Sequence, residues 1–202
     1  MNATAANTPP ARRSPGAVRA ASVPDTVNST LPHLGDLSLL SLPGATAFLS
    51  SRRGSAKAAL ACLEWAEGRR NDARPVIGGF HSDLEKDVLK LLLRGTCPIV
   101  LVLARALWKE IPEELSRPIS SGRLLVVSAA PTTSRVSAAT ALLRNRFVLD
   151  HAAEIVVGTL EPGGALATLL RAYSGRPLRV FHGLDTRISY RDNKSTIGQI
   201  TQ

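Results

Sequence analysis

The sequence predicts a single α/β domain built on a doubly wound, mostly parallel sheet in an extended Rossmann-like arrangement. Short apolar segments alternate with helical segments from residue 46 to residue 181, and one of them, CPIVLVLA at 97–104, is apolar throughout. Alternation of this kind favours parallel strands joined by right-handed crossovers. A continuous apolar run is typical of a strand covered on both faces. The 202-residue chain has room for one such domain and a tail.

The first half of the domain contains three predicted strands and two predicted helices. A short apolar segment at 31–45, with about one turn of helix, leads into the first strand at 46–51. A helix at 56–70 places Ala, Leu and Trp65 on one face, and the glycine-ended strand at 74–80 follows it. Ser82 and Glu85 have capping-box spacing, which predicts a helix over 82–95 that Gly95 ends. The third strand is the apolar run already quoted.

The second half continues the alternation. Residues 105–122 form a helical or irregular crossover that Pro112 and Pro118 are expected to break. The remaining predicted elements are a strand at 123–130, a helix at 134–152, a strand at 154–160, a helix at 163–173 and a strand at 176–181.

Both ends of the chain differ in composition from the domain. Residues 1–30 are rich in Ala, Pro, Ser and Thr and predict a flexible tail, residues 31–182 form the domain, and residues 183–202 form a polar extension. The N-terminal segment lacks the apolar stretch of a secretory signal. An organelle transit peptide is an alternative to a disordered tail, which the composition favours.

The charge balance indicates a polyanionic partner. Twenty-five Lys and Arg residues face 16 Asp and Glu, which gives a net charge of +9 and a pI near 10.5. Only five of the basic residues are lysines. A genome with a high GC content raises the arginine content of its proteins and could account for part of the excess. Cys62 and Cys97 have no metal-ligand spacing and are expected to be buried thiols in a cytoplasmic protein. We expect no metal, no cofactor and no membrane span.

Candidate anion-binding residues follow the predicted strands. Ligands of open parallel sheets lie beyond the carboxyl ends of the strands, where loops lead into helices. Glycine lets backbone amides approach an anion there. No Walker loop or strict dinucleotide fingerprint is present. The candidates in these loops and the helical turns beside them are Ser51, Arg52, Gly78, Gly79, His81, Ser82, Lys86, Gly163 and Gly164.

Arg144, Asn145 and Arg146 are further candidates on the fourth predicted helix. The two arginines point about 200° apart, so they cannot share a face. One can bind phosphate while the other pairs with a carboxylate; structural ion pairs for both are the alternative. His81 stands at a helix entrance with no nucleophile paired to it, so a capping role is expected and no catalytic residue is assigned. Trp65 and Trp108 are expected to pack in the core or against helices and not to stack on bases.

Four segments, LGDLSLLSLPGATAFLSSRR, IGGFHSDLEKDVLKLLLRG, LRNRFVLDHAAEIVV and EPGGAL, occur in an order and spacing that resemble the DNA-processing protein A (DprA/Smf) family. The likeness runs from about residue 34 to residue 181. It implies a Rossmann-like domain that binds single-stranded DNA and contacts a RecA-type recombinase. It also implies that the protein can form a homodimer and that it acts in DNA uptake, recombination and natural transformation. By position it implies DNA contacts from Ser51, Arg52, Gly79, the Arg-Asn-Arg element, Gly163 and Gly164.

The sequence departs from this family in its second loop and at its ends. GFHS stands where many relatives have an SGxARGID loop, which removes an arginine. Neither a helical N-terminal domain nor a C-terminal winged helix is expected. EPGGALATLL also resembles the PGGxGTxxE turn of nucleoside-monophosphate phosphoribohydrolases, which makes a nucleotide-binding protein or hydrolase the alternative. Leu170 stands where the acid of that turn should be, so we expect no enzyme.

Overall fold

The computed structural model describes residues 31–181, so the predicted tail at 1–30 and extension at 183–202 lie outside the described residues. Seven strands form one sheet: β1 His33–Leu34, β2 Thr46–Leu49, β3 Val76–Gly78, β4 Ile99–Leu103, β5 Leu124–Ser128, β6 Glu154–Val157 and β7 Leu178–Val180. Five α-helices cover it: α1 Ala56–Arg69, α2 Asp83–Leu93, α3 Glu113–Ser120, α4 Ala138–Asp150 and α5 Ala165–Leu170. Two 3₁₀ segments, Leu37–Ser41 and Arg171–Tyr173, complete the described elements.

The strand order across the sheet is β1-β5-β4-β3-β2-β6-β7, and every pair is parallel except β1 with β5. This confirms the predicted doubly wound, mostly parallel sheet. The chain winds outward from β2 to β5 in one direction and then returns to place β6 on the other side of β2. Ligand crevices of open α/β sheets form where the winding direction reverses. The carboxyl ends of β2 and β6 therefore mark the first place to look for a site.

Two apolar cores explain why the strands are apolar on both faces. Phe48, Cys62, Val88, Leu92 and Leu115 belong to the core between the sheet and α1, α2 and α3. The opposite core contains Leu39, Val148, Leu149, Leu169 and Leu170, from the first 3₁₀ segment, α4 and α5. All of β2, β4 and β5 is buried. Burial on both faces is what the unbroken apolar runs predict.

The two cysteines lie in the core and Trp65 packs against it, as the sequence predicts. Cys62 and Cys97 are buried free thiols. Burial raises the pKa of Cys62 to about 12 and that of Cys97 to about 11, so both remain protonated near neutral pH. The ring of Trp65 stacks on Phe48 with 5.1 Å between centroids. Within residues 31–181, no helix combines the length and apolar character needed to cross a membrane.

Three local features differ from the sequence prediction. The strands are shorter than predicted, because their flanking apolar residues lie in loops that remain packed on the sheet. The approach segment adds β1, an antiparallel edge strand paired with Val126 and Val127, before its 3₁₀ turn. Pro118 does not break the crossover: α3 begins directly after Pro112 and includes Pro118. The helix has only two turns and the proline ring is buried, so one missing amide costs few intrahelical bonds.

Candidate nucleic-acid interface

The loops that follow β2 and β6 lie against each other at the carboxyl edge of the sheet, meaning the edge where the parallel strands end. Ser51 N donates to Thr159 O at 2.8 Å, and Thr159 Oγ1 donates to Ser51 O at 2.8 Å. Thr159 N donates to Ser50 Oγ at 3.2 Å, and Glu161 N donates to Ser51 Oγ at 3.1 Å. The amide and the hydroxyl of Ser51 thus both make hydrogen bonds that join the two loops, so this residue stabilises the site.

Gly54 brings the same loops into direct contact from the outer side. A Cβ atom on Gly54 would overlap Cγ2 of Thr159, whose side chain is buried and hydrogen-bonded. No residue larger than glycine fits there without a shift of one loop. The turn after β6 continues through Gly163, which has a φ of 70°, to Gly164 at the start of α5. Glycine suits that left-handed conformation.

Exposed cations stand above this junction. Arg52 and Arg53 follow β2, and Lys57 lies in the first turn of α1. All three side chains are exposed. The loops 50–55 and 158–164 together contain Glu161 as their one acidic residue. The junction of the two loops is therefore positively charged and open to solvent.

Ion pairs in the described part of the chain are distributed unevenly between the two edges of the sheet. At the opposite, amino edge, Arg69, Arg70 and Arg74 lie within 4.0 Å of Asp72, Glu67 or Glu154. On the surface of α2, Lys86 pairs with Asp83 and Lys90 pairs with Asp87. Within residues 31–181, no carboxylate lies within 4.0 Å of the cations that follow β2, β4 and β5, which are Arg52, Arg53, Lys57, Arg105, Lys109 and Arg135.

Glu85 is a buried carboxylate that joins α2 to the end of β2. Its side chain is 1% exposed. Oε1 accepts from Ser50 N at 3.2 Å, while Oε2 accepts from His81 N at 3.1 Å and Ser82 N at 2.9 Å and lies 2.6 Å from His81 Nδ1. Burial alone would raise the pKa of Glu85, but the hydrogen bond and charge of His81, the Ser82 amide and the charge of Arg144 together lower it. The carboxylate is therefore ionised.

The predicted capping box is confirmed, since Ser82 Oγ accepts from Glu85 N and the Glu85 carboxylate accepts from Ser82 N. His81 at the helix entrance contacts the same carboxylate, in line with the expected capping role. Lys86 lies one residue further along α2, exposed and paired with Asp83. Gly78 is the last residue of β3, close enough to β2 that a Cβ would lie 2.9 Å from Phe48 O.

Arg144 reaches over the end of β3 from α4. The residue is 3% exposed, and its guanidinium Nε and Nη2 donate to Asn145 Oδ1 at 3.1 and 2.9 Å. A Cβ on Gly79 would lie 2.5 Å from Nε of Arg144, so only glycine leaves space for this side chain. Burial lowers the pKa of Arg144, and the charge of Glu85 opposes that shift. No carboxylate of the described chain lies within 4.0 Å of the guanidinium.

Arg146 lies on a different face of α4 from Arg144, as the helical spacing predicts. Arg146 is exposed, and its positive charge acts on the hydroxyl of Tyr173, which follows α5. The structure thus separates the predicted site residues into three groups. Arg52, Gly163 and Gly164 surround the β2–β6 junction with Ser51 beneath them; Gly79, His81, Ser82, Lys86, Arg144 and Asn145 surround the end of β3; Arg146 stands apart from both groups.

Sequence reasoning missed two residues that shape this edge. Thr159 is buried and provides the hydrogen bonds that join the loops, yet no motif marks it. Trp108 packs against the core, as predicted, but it also forms a wall of a cleft together with Arg144 and Gly79. The residue spacing gave no signal for either contact, because both depend on how distant loops meet. Among residues 31–181, no group of three or more His, Cys, Asp or Glu side chains could hold a metal ion.

Comparisons with known proteins identify the fold. The DNA processing protein A of Helicobacter pylori, described for its single-stranded DNA binding mode, superposes with a TM-score of 0.63 at 17% identity, covering 91% of this chain and 88% of that one. The DNA processing protein A of Streptococcus pneumoniae gives a TM-score of 0.62 at 18% identity, covering 85% of this chain and 62% of that one. Neither family models nor curated protein sequences match this chain. It therefore has a DNA processing protein A-like Rossmann fold.

Proposed function

We propose that this protein binds single-stranded DNA without sequence preference, along the carboxyl edge of its sheet. The observation that carries the proposal is the distribution of ion pairs: the cations after β2, β4 and β5 have no carboxylate partner in the described chain, whereas Arg69, Arg70 and Arg74 at the amino edge do. A phosphate backbone supplies the missing anions and releases its own counterions on binding. The fold shared with two DNA processing proteins supports the same reading.

Within this proposal, Arg52 and Arg53 contact phosphates directly, and the turn at Gly163 lets the strand approach the backbone. Ser51, Thr159 and Glu85 hold the two loops in register and do not touch DNA. A role in DNA uptake or recombination, in the cytoplasm and with a RecA-type recombinase, is the biological setting that we propose for this activity. Homodimer formation belongs to the same proposal.

We further propose that the protein is not an enzyme. Leu170, which stands where the phosphoribohydrolase turn has an acid, is 1% exposed and packs in the core at the end of α5. Cleavage of an N-glycosidic bond requires a carboxylate near the reacting carbon. Incubation with nucleoside monophosphates should release no free base, and turnover would instead support the phosphoribohydrolase-like alternative.

Oligonucleotide binding at two salt concentrations tests the DNA-binding proposal. We expect a labelled single strand of about 20 nucleotides to bind more tightly than duplex DNA or RNA of equal length. Its affinity should fall steeply between about 50 and about 200 mM salt, with a slope of about −0.7 for each phosphate neutralised. Fluorescence anisotropy measures both quantities. Affinity that does not depend on salt, or a preference for duplex DNA, would contradict the proposal.

A further inference from the structure

A second feature of the carboxyl edge lies between α2, the end of β4 and α3. It is a cleft of about 500 Å³, a volume typical of small-molecule sites. Its walls are mostly apolar and include Phe80, Leu89, Leu103, Trp108, Leu115 and Val136. Lys86, Lys90, Arg105 and Glu114 also line it. The cleft is thus apolar in its body with a basic surround.

Arg144 gives the cleft a buried positive charge. It lines the cleft although it is only 3% exposed, and its hydrogen bonds within the described chain go to the neutral side chain of Asn145. The charge of Glu85 acts on Arg144 from beyond 4.0 Å, while its carboxylate oxygens accept hydrogen bonds from Ser50, His81 and Ser82. A buried guanidinium in apolar surroundings is stable only with a partner of good geometry. Nε and Nη2 of Arg144 donate to Asn145, which leaves Nη1 available to an anion that enters the cleft.

The backbone beside Arg144 is shaped to keep this position open. Gly79 leaves room for the guanidinium, and Phe80 follows with a φ of 42°, an uncommon conformation for a bulky residue. This conformation directs the chain around the end of β3 and keeps the Phe80 side chain among the residues that line the cleft. Both features serve the cleft, and neither is needed for the phosphate contacts proposed at Arg52 and Arg53.

We propose that this cleft binds a small aromatic carboxylate, with the carboxylate on Arg144 and the ring against Trp108. A carboxylate pairs with the planar guanidinium through two parallel hydrogen bonds. The apolar walls suit a ring without further polar groups. The hydroxyls of a ribose would lie against apolar side chains with few partners, which disfavours a mononucleotide. The cleft shares Arg105 with the proposed DNA-binding edge, but Arg52 and Arg53 do not line it.

Two probes of the same shape test the inference. 2-Naphthoate carries a carboxylate, and 2-naphthamide presents a neutral amide in its place. We expect the wild-type protein to bind 2-naphthoate about tenfold more tightly than 2-naphthamide, because the charge-assisted bond to Arg144 is lost in the amide. Isothermal titration calorimetry measures both affinities. Equal affinity for the two probes, tighter binding of adenosine monophosphate than of 2-naphthoate, or no binding of either naphthalene probe would overturn the proposal.

Three variants locate the binding. Arg144→Met should reduce the preference for 2-naphthoate to about one. Val136→Trp, at a position that is 58% exposed on the cleft wall, should fill the cleft and weaken both probes about tenfold without disturbing the core. Leu60→Trp, equally exposed but on α1, is the control and should change neither affinity. If Arg144→Met fails to fold, the probe preference and the Val136→Trp result still decide, and unchanged binding in Val136→Trp would refute the site.

Oligonucleotide affinity separates this inference from the proposed function. Arg52→Gln with Arg53→Gln should weaken single-stranded DNA binding and leave 2-naphthoate binding unchanged, because neither arginine lines the cleft. Loss of DNA binding with naphthoate binding intact therefore concerns the proposed function alone.

Discussion

Glu85→Ala should lower the free energy of unfolding by about 3–5 kcal/mol, the cost of removing one member of a buried charged network. The carboxylate accepts from the amides of Ser50, His81 and Ser82, and all three donors lose their partner in the variant. The buried charge of Arg144 also loses its nearest carboxylate. Urea denaturation measures the change. Asp87→Ala, at an exposed position on the same helix, is the matched control and should change stability by less than about 0.5 kcal/mol.

The pH dependence of unfolding in the wild type and in Glu85→Gln gives a second readout. The pKa of Glu85 is lowered from its ordinary value of 4.5 in the folded state. Its contribution to stability is therefore fully present above pH 4.5 and is lost as the pH falls through the folded value. The difference in unfolding free energy between wild type and Glu85→Gln should shrink across that range. A difference that stays constant with pH would show that the ionised carboxylate is not what stabilises the loop.

Gly54→Ala should cost about 1–3 kcal/mol and weaken DNA binding, because the added methyl group overlaps Cγ2 of Thr159. Thr159 cannot turn away without breaking its hydrogen bonds to Ser50 and Ser51, so the loop carrying Arg52 must move. Thermal unfolding and anisotropy measure the two effects.

A double variant and a control make the Gly54 test specific. Thr159→Ser removes Cγ2 while keeping the hydroxyl, so Gly54→Ala with Thr159→Ser should recover part of both losses. Gly68→Ala adds the same methyl group in α1, where nothing lies within 4 Å, and should stabilise the protein by about 0.5–1 kcal/mol. If Gly54→Ala is as well tolerated as Gly68→Ala, the loops are not in the contact that the structure shows.

The sequence was sufficient to predict the sheet because a strand that is buried on both faces has apolar residues at every position. The run from Ile99 to Leu103 is apolar in every position and is buried in every position. The capping box of Ser82 and Glu85 was equally predictable, since both partners lie within one helical turn. The separation of Arg144 from Arg146 followed from helical geometry alone.

The remainder of the site depends on contacts between segments far apart in the chain. That Glu85 also accepts a hydrogen bond from Ser50 depends on where α2 packs against the end of β2. That Arg144 lies against Gly79 depends on α4 crossing beneath the sheet so that its side chain passes the end of β3. The short-range spacing that predicted helices and strands carries no information on contacts between segments far apart in the chain. For the same reason the sequence did not indicate that Trp108 lines the cleft as well as packing against the core.

The salt dependence of oligonucleotide binding in two charge-matched double variants tests the central claim most directly. Arg52→Gln with Arg53→Gln removes two charges from the carboxyl edge, and Arg70→Gln with Arg74→Gln removes two from the amino edge. We predict that the first variant binds single-stranded DNA about tenfold more weakly and that the magnitude of its salt slope falls by about 1.4. The second should keep the wild-type slope and an affinity within about twofold of wild type. Equal losses in both variants would mean that DNA responds only to net charge and that the carboxyl edge is not the binding surface.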